Sequence, residues 1–94
     1  ADLTFLASRK TSAQEINDIL RQAAQHPKWQ GIFTISEEPL VSSDIIKNPH
    51  ASIADLTHTK VVGGDLVKVL AWYDNEWGYC ASLLKHVLNL KNLL

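Results

Sequence analysis

The residue types able to do chemistry are concentrated in one stretch, Trp72-Tyr73-Asp74-Asn75-Glu76-Trp77-Gly78-Tyr79, which holds two of the three tryptophans and both tyrosines. The pattern before it reads as a buried strand and the pattern after it as a helix. At such a junction the stretch gathers aromatic walls, a side-chain amide at Asn75 and free backbone N–H groups at a helix start. Together these can orient a polar ring or a carboxamide. The same residues also suit an aromatic core closed by an Asp/Asn helix cap, and local physics leaves both readings open.

Elsewhere the usual reactive constellations are missing from the sequence. There is no G-x-G-x-x-G, G-x-x-x-x-G-K-[ST] or G-x-S-x-G, and only 4 glycines with which to build a phosphate cradle or a nucleophile elbow. His26, His50, His58 and His86 show no i, i+4 pair and no neighbouring cysteine pair, so solvated or structural roles are expected and no metal site. Cys80 has Trp77, Leu83 and Leu84 as its helical neighbours, while His86 lies about 240° around the axis. A small buried core cysteine is expected, since reactive cysteines need an electropositive, partly exposed site. Glu37-Glu38, directly ahead of Pro39, reads as a solvated turn and not as an acid/base dyad. No catalytic residue is assigned.

The elements that position the dense stretch follow from periodicity. Leu3, Phe5 and Ala7 alternate with Asp2, Thr4 and Leu6, a period of two that predicts a strand with one strongly apolar face. Thr11 or Ser12 can cap a helix, with Gln14 or Glu15 completing a capping box, and Ile16, Ile19, Leu20, Ala23 and Ala24 then share a face until His26-Pro27. Residues 31–35 predict a short strand, 37–39 a turn, and 40–47 a weaker extended stretch before the Asn48-Pro49 breaker. A segment at 52–56 and two β-branched runs follow, the runs separated by Gly63-Gly64 or Gly64-Asp65 in a hairpin turn. Residues 66–73 are apolar on both faces except for Lys68, which places them inside a sheet. Trp77, Cys80, Leu83, Leu84, Val87, Leu90 and Leu94 make the wide apolar side of a closing helix. The order β-α-β-β-β-β-α predicts an α+β fold, a mainly antiparallel sheet with two helices.

Composition bounds the function classes. With 94 residues, 46% hydrophobic and 20% charged, the chain is treated as a single unit over 1–94, too short for a two-domain enzyme. A domain this small buries only about two-thirds of its unfolded surface, so its own stability is marginal unless another surface covers it. A net charge of -1 and a pI near 6.5 disfavour nucleic acid and an anionic membrane as partners. A single cysteine and no apolar run of membrane-spanning length make a reducing, cytoplasmic setting the expectation. The chain opens at Ala1 and contains no Met, which fits initiator removal or excision from a longer chain equally.

The stretch Trp72 to Tyr79 resembles the signature near the C-terminus of phosphorylating glyceraldehyde-3-phosphate dehydrogenases. Glu37 to Asp44, Asn48 to Ile53, and Asp2-Leu3-Thr4 with the following helix resemble the same family in order and spacing, so the likeness covers essentially the whole chain. It implies the C-terminal portion of that family's catalytic domain, a mixed, mostly antiparallel sheet with helices on one side, without the nucleotide-binding domain. It further implies that Asn75 hydrogen-bonds the carboxamide of the nicotinamide of NAD, that Tyr79 lies beside that ring, and that Tyr73 approaches the catalytic cysteine. In the family that cysteine forms a thiohemiacetal with the aldehyde, passes a hydride to NAD and yields the acyl group to phosphate. The family's nucleophile, its histidine base and the residues of its phosphate sites all precede the matching segment, so the chain alone is expected to be inactive and to bind little NAD.

Two departures stand out. Cys80 occupies a position where the family usually has serine, and Ser82 and Lys85 stand where it commonly has an arginine and an acid. The expected partners are an upstream fragment or further copies of the chain, since the resemblance implies a homotetrameric family, with a small aldehyde phosphate as substrate of the complete enzyme. Erythrose-4-phosphate dehydrogenase, of the same architecture, is an alternative, as is a non-catalytic interaction or assembly module.

Overall fold

The run with apolar residues on both faces takes a central place in the sheet. In the computed structural model, which describes residues 1–91, β4 (Leu66–Trp72) lies between β1 (Asp2–Leu6) and β3 (Ser52–Val62), and β2 (Phe33–Ser36) pairs with the far side of β3. The pairings β1–β4 and β3–β4 are antiparallel and β2–β3 is parallel, so the four-stranded sheet is mixed and mainly antiparallel. Two helices, α1 (Ala13–Gln25) and α2 (Trp77–Leu90), complete the α+β fold expected from periodicity. Leu94, counted into the apolar side of the closing helix, lies outside the described residues.

Local chemistry accounts for the boundaries. Ser12 caps α1, its hydroxyl accepting from the Glu15 amide at 3.2 Å. The Glu15 carboxylate does not return to the Ser12 backbone as a full capping box would; it accepts instead from the Thr11 hydroxyl at 2.5 Å and from Arg9 at 2.9 Å. Between β3 and β4, Gly63 and Gly64 both hold positive φ, 65° and 83°, which is the conformation a tight hairpin demands of its central residues. Lys10 and Thr11 then fasten the end of the first strand to that turn, through Lys10 Nζ to the Gly63 carbonyl at 2.9 Å and the Thr11 amide to the Gly64 carbonyl at 2.7 Å.

Two segments differ from their expected form. The stretch 40–47 is not extended: Ser42–Ile45 is a 3-10 turn, because Asp44 closes on Val41 twice, its amide donating to the Val41 carbonyl and its carboxylate accepting from the Val41 amide, each at 2.9 Å. Ile45, the last residue of that turn, is buried. The segment 52–56 and the β-branched run after it form one strand, β3, with a register slip inside it: five steps along β3, from Asp55 to Lys60, face two along β4, from Leu70 to Lys68.

The buried core is small, comprising Ile45, Ile53, Ala54, Leu56, Val67 and Val69 among the described residues. The expected apolar face of β1 is present but stays half open, with Leu3 and Phe5 opposite buried Val69 and Val67 yet about half exposed themselves. Helix α2 buries only Gly78, leaving Leu83, Leu84, Val87 and Leu88 exposed. The molecule is accordingly thin, 48 × 32 × 19 Å, with a radius of gyration of 14.9 Å. A compact chain of this length would come to about 12 Å.

Candidate functional site

The dense stretch is where β4 ends and α2 begins, and two aspartates organise it. Asp55, the one buried charged residue of the described chain, sits inside the β3 register slip at 0% exposure. Its Oδ2 accepts from the Trp72 indole Nε1 at 3.0 Å, and its Oδ1 accepts from the Thr57 amide at 3.1 Å and the Thr57 hydroxyl at 2.5 Å. His58 Nε2 lies 3.9 Å from Oδ2. Burial acts to raise the Asp55 pKa, but the hydrogen bonds from Thr57 and Trp72 outweigh it and hold the carboxyl below its ordinary value. A single side chain thereby holds one amide of the irregular stretch of β3 and the indole of the tryptophan that leads into the junction.

Asp74 does the same for the junction itself. Its Oδ1 accepts from the amides of Glu76 at 3.0 Å and Trp77 at 2.8 Å, its backbone carbonyl accepts from Gly78 at 3.0 Å, and its Oδ2 accepts from the Lys47 amide at 2.8 Å. These backbone donors, that of Trp77 first, then Lys47 and Glu76, lower its pKa. Three of the N–H groups at the helix start, those of Glu76, Trp77 and Gly78, are therefore taken by Asp74 and are not open to an incoming anion. Gly78 explains why no side chain follows: a Cβ there would stand 2.7 Å from the His50 carbonyl oxygen, so the first turn of α2 meets the backbone ahead of β3 directly.

An open cleft of about 410 Å³ runs along this junction, walled by Ser42, Ile45, Ile46 and Lys47 on one side and by residues 73–77 on the other. Tyr73 and Asn75 both line it. The Asn75 side-chain amide is exposed and makes no hydrogen bond to a described residue. Tyr79 does not line this cleft; it lies on the first turn of α2 with 65% of its surface exposed.

Lys47, at φ 64° the only non-glycine residue with positive φ in the described chain, holds its ammonium 6.0 Å from the Trp77 ring centroid. Neither Lys47 nor Asp55 was expected as part of this site. The signals available were a lone acid inside an apolar run, Ile53-Ala54-Asp55-Leu56, and a residue ahead of the Asn48-Pro49 breaker.

The remaining candidates separate from the cleft. Cys80 is exposed, contrary to the buried core cysteine expected, because the α2 face that carries it packs on nothing described. His50 Nδ1 lies 2.9 Å from Asn48 Oδ1 and His26 Nδ1 accepts from the Lys28 amide, both local turn contacts. Glu37 is bound by the Arg21 guanidinium at 2.5 Å. Among the described residues no group of His, Cys, Asp and Glu could hold a metal ion, and no helix is long and apolar enough to cross a membrane.

Comparison with known proteins decides what this junction is related to. The family model described as the glyceraldehyde 3-phosphate dehydrogenase, C-terminal domain, matches residues 1–75, from before β1 through Asn75. The chain belongs to the glyceraldehyde-3-phosphate dehydrogenase family. Similar relatives carry that enzyme's name: one from Zymomonas mobilis is 46% identical over 78 residues, covering 83% of this chain and 23% of the relative. The chromosomal one of Cupriavidus necator is 49% identical over 83 residues, covering 88% and 24%. One from Cereibacter sphaeroides is 39% identical over 93 residues, covering 99% and 28%. The chain thus spans about a quarter of the length of these dehydrogenases. The family match includes Tyr73 and Asn75 and stops short of Tyr79.

Proposed function

We propose that these residues form the C-terminal portion of the catalytic domain of an NAD-dependent, phosphorylating glyceraldehyde-3-phosphate dehydrogenase. They supply part of its nicotinamide site and no catalysis by themselves. The observation that carries this reading is the placement of Asn75 and Tyr73, both inside the family match, on one open cleft.

The residues present fit the nicotinamide end of NAD. An exposed primary amide at Asn75, with no described partner, can donate to and accept from a carboxamide, and the neighbouring walls are aromatic at Tyr73 and Trp77. NAD, when bound, supplies the hydride acceptor. Asn75 would orient the carboxamide and so select the ring face turned to the substrate, Tyr73 would approach the family's catalytic cysteine, and Tyr79 would lie beside the ring. Cys80 is not the nucleophile of this reading, since it does not line the cleft that Tyr73 and Asn75 share. Covalent capture and proton transfer need a nucleophile and a base, and orientation does not replace them. The cytoplasmic setting expected from a single cysteine goes with this reading.

The purified chain, given NAD, glyceraldehyde 3-phosphate and phosphate, is expected to form no NADH. A clear rate from a clean preparation overturns the claim of inactivity. A second reading, an interaction module that pairs with an upstream fragment or another copy, is favoured by the exposed apolar side of α2, with Leu84 60% and Leu88 59% exposed.

A further inference from the structure

We propose that Asp74 is the positioning residue of the Asn75 site, its two carboxylate oxygens doing separable jobs: Oδ1 closes the turn that aims Asn75, and Oδ2 ties down the Lys47 loop that forms the facing wall. The proposal rests on the nicotinamide reading of Asn75, and the tie itself rests on geometry alone.

Asn75 is bracketed by one residue. The amides immediately after it, of Glu76 and Trp77, both end on Asp74 Oδ1, and the Gly78 amide ends on the Asp74 carbonyl. This is an aspartate turn running straight into a helix, and it fixes the backbone at the intervening residue without using that residue's side chain. An exposed loop asparagine would otherwise sample many directions. With the turn around it closed on Asp74, the Asn75 backbone is held where its side chain lines the cleft, the prearrangement that orienting a ligand needs.

The second oxygen reaches 27 residues back in the sequence. Asp74 Oδ2 accepts from the Lys47 amide at 2.8 Å. Lys47 is at φ 64°, a backbone conformation that an L residue with a side chain keeps only when its surroundings hold it there. A second and independent contact joins the same two walls, the Lys47 ammonium lying 6.0 Å from the Trp77 ring centroid. The charged and titratable groups lining the cleft are Lys47, Tyr73, Asp74 and Glu76. Of these, only the Asp74 carboxylate binds backbone on both walls, so one side chain ties the turn that carries Asn75 to the facing loop.

Three substitutions separate the two jobs. Asp74→Asn keeps one acceptor oxygen for the turn and puts an amide, which cannot accept, opposite the Lys47 N–H. Asp74→Ser keeps a hydroxyl able to cap the helix start but too short to reach Lys47. Asp74→Ala removes both. Amide hydrogen exchange is read at Lys47, Glu76 and Trp77, with the β4 amides of Val67 and Val69 as a control for the intact fold, together with the shift of the Asn75 side-chain NH₂ on adding free nicotinamide.

In Asp74→Asn and Asp74→Ser, exchange at Lys47 is expected to rise at least tenfold, with Glu76 and Trp77 near wild type. In Asp74→Ala all three rise and the nicotinamide response at Asn75 falls by half or more. Unchanged Lys47 exchange in both Asp74→Asn and Asp74→Ser overturns the separable tie. A full nicotinamide response in a folded Asp74→Ala overturns the positioning role. A wild-type chain with no response to nicotinamide overturns the nicotinamide reading instead, and the exchange pattern still decides the tie.

Discussion

Asp55 and Asp74 hold their negative charges in different ways, and the difference is measurable. Asp55 is fully buried and satisfied by an indole, a hydroxyl and one amide, so removing it strands the Trp72 N–H and the Thr57 amide inside the β3 slip. Asp55→Ala is expected to cost about 2–4 kcal/mol in urea unfolding, with Asp55→Asn recovering part of the loss. A change within about 0.5 kcal/mol, the ordinary surface range, would show that the buried carboxylate does not hold the slip.

Both aspartates have folded pKa values lowered from the ordinary aspartate value of 3.8. The unfolded chain therefore takes up protons first as pH falls. Their stabilisation is complete above the unfolded value and is lost as pH drops through the folded one, so unfolding measured from pH 6 to pH 2 should show a plateau and then a fall below about pH 4. The fall should be shallower in Asp74→Asn; an identical profile would exclude Asp74 as a contributor. At this scale the sequence was informative about the cleft lining, since Tyr73 and Asn75 announce themselves by type. It was silent about Asp55 and Lys47, whose importance comes from contacts with Trp72 and Asp74 distant along the chain.

At the level of elements, the first turn of α2 depends on what Gly78 lacks. An alanine there would gain helix propensity of about 1 kcal/mol while forcing its Cβ to within 2.7 Å of the His50 carbonyl oxygen. Because that oxygen belongs to backbone leading into β3, it cannot yield as a flexible side chain would, and Gly78→Ala is expected to destabilise by about 1–3 kcal/mol net. Chemical unfolding checks this; a variant as stable as wild type would mean that α2 is not seated on His50. Period-two and helical patterns made β1, α1, β4 and α2 legible, and the apolar character of β4 on both faces correctly foretold a central strand. The 40–47 stretch was misread because Asp44 recruits the Val41 backbone into a turn, a local side-chain bond that periodicity does not register.

The whole molecule is a thin sheet with two helices, one of them packed mainly through its first turn. Patterning shows which side of α2 is apolar but not what covers it, which is why Cys80 and Leu84 were expected inside and are exposed. Open apolar surface of this kind favours association. Gel filtration over a range of concentrations is expected to give an apparent mass above the 10.5 kDa monomer that rises with concentration. A monomer at every concentration with a sharp melt would contradict that.

The central claim, that the Tyr73–Trp77 junction is the wall of a nicotinamide site, is tested most directly by heteronuclear NMR of the chain titrated with nicotinamide mononucleotide. The expected result is a weak, saturable shift of the Asn75 side-chain amide together with Tyr73 and Trp77, abolished by Asn75→Ala. Shifts confined to other parts of the chain, or a response at the junction that survives Asn75→Ala unchanged, would contradict it.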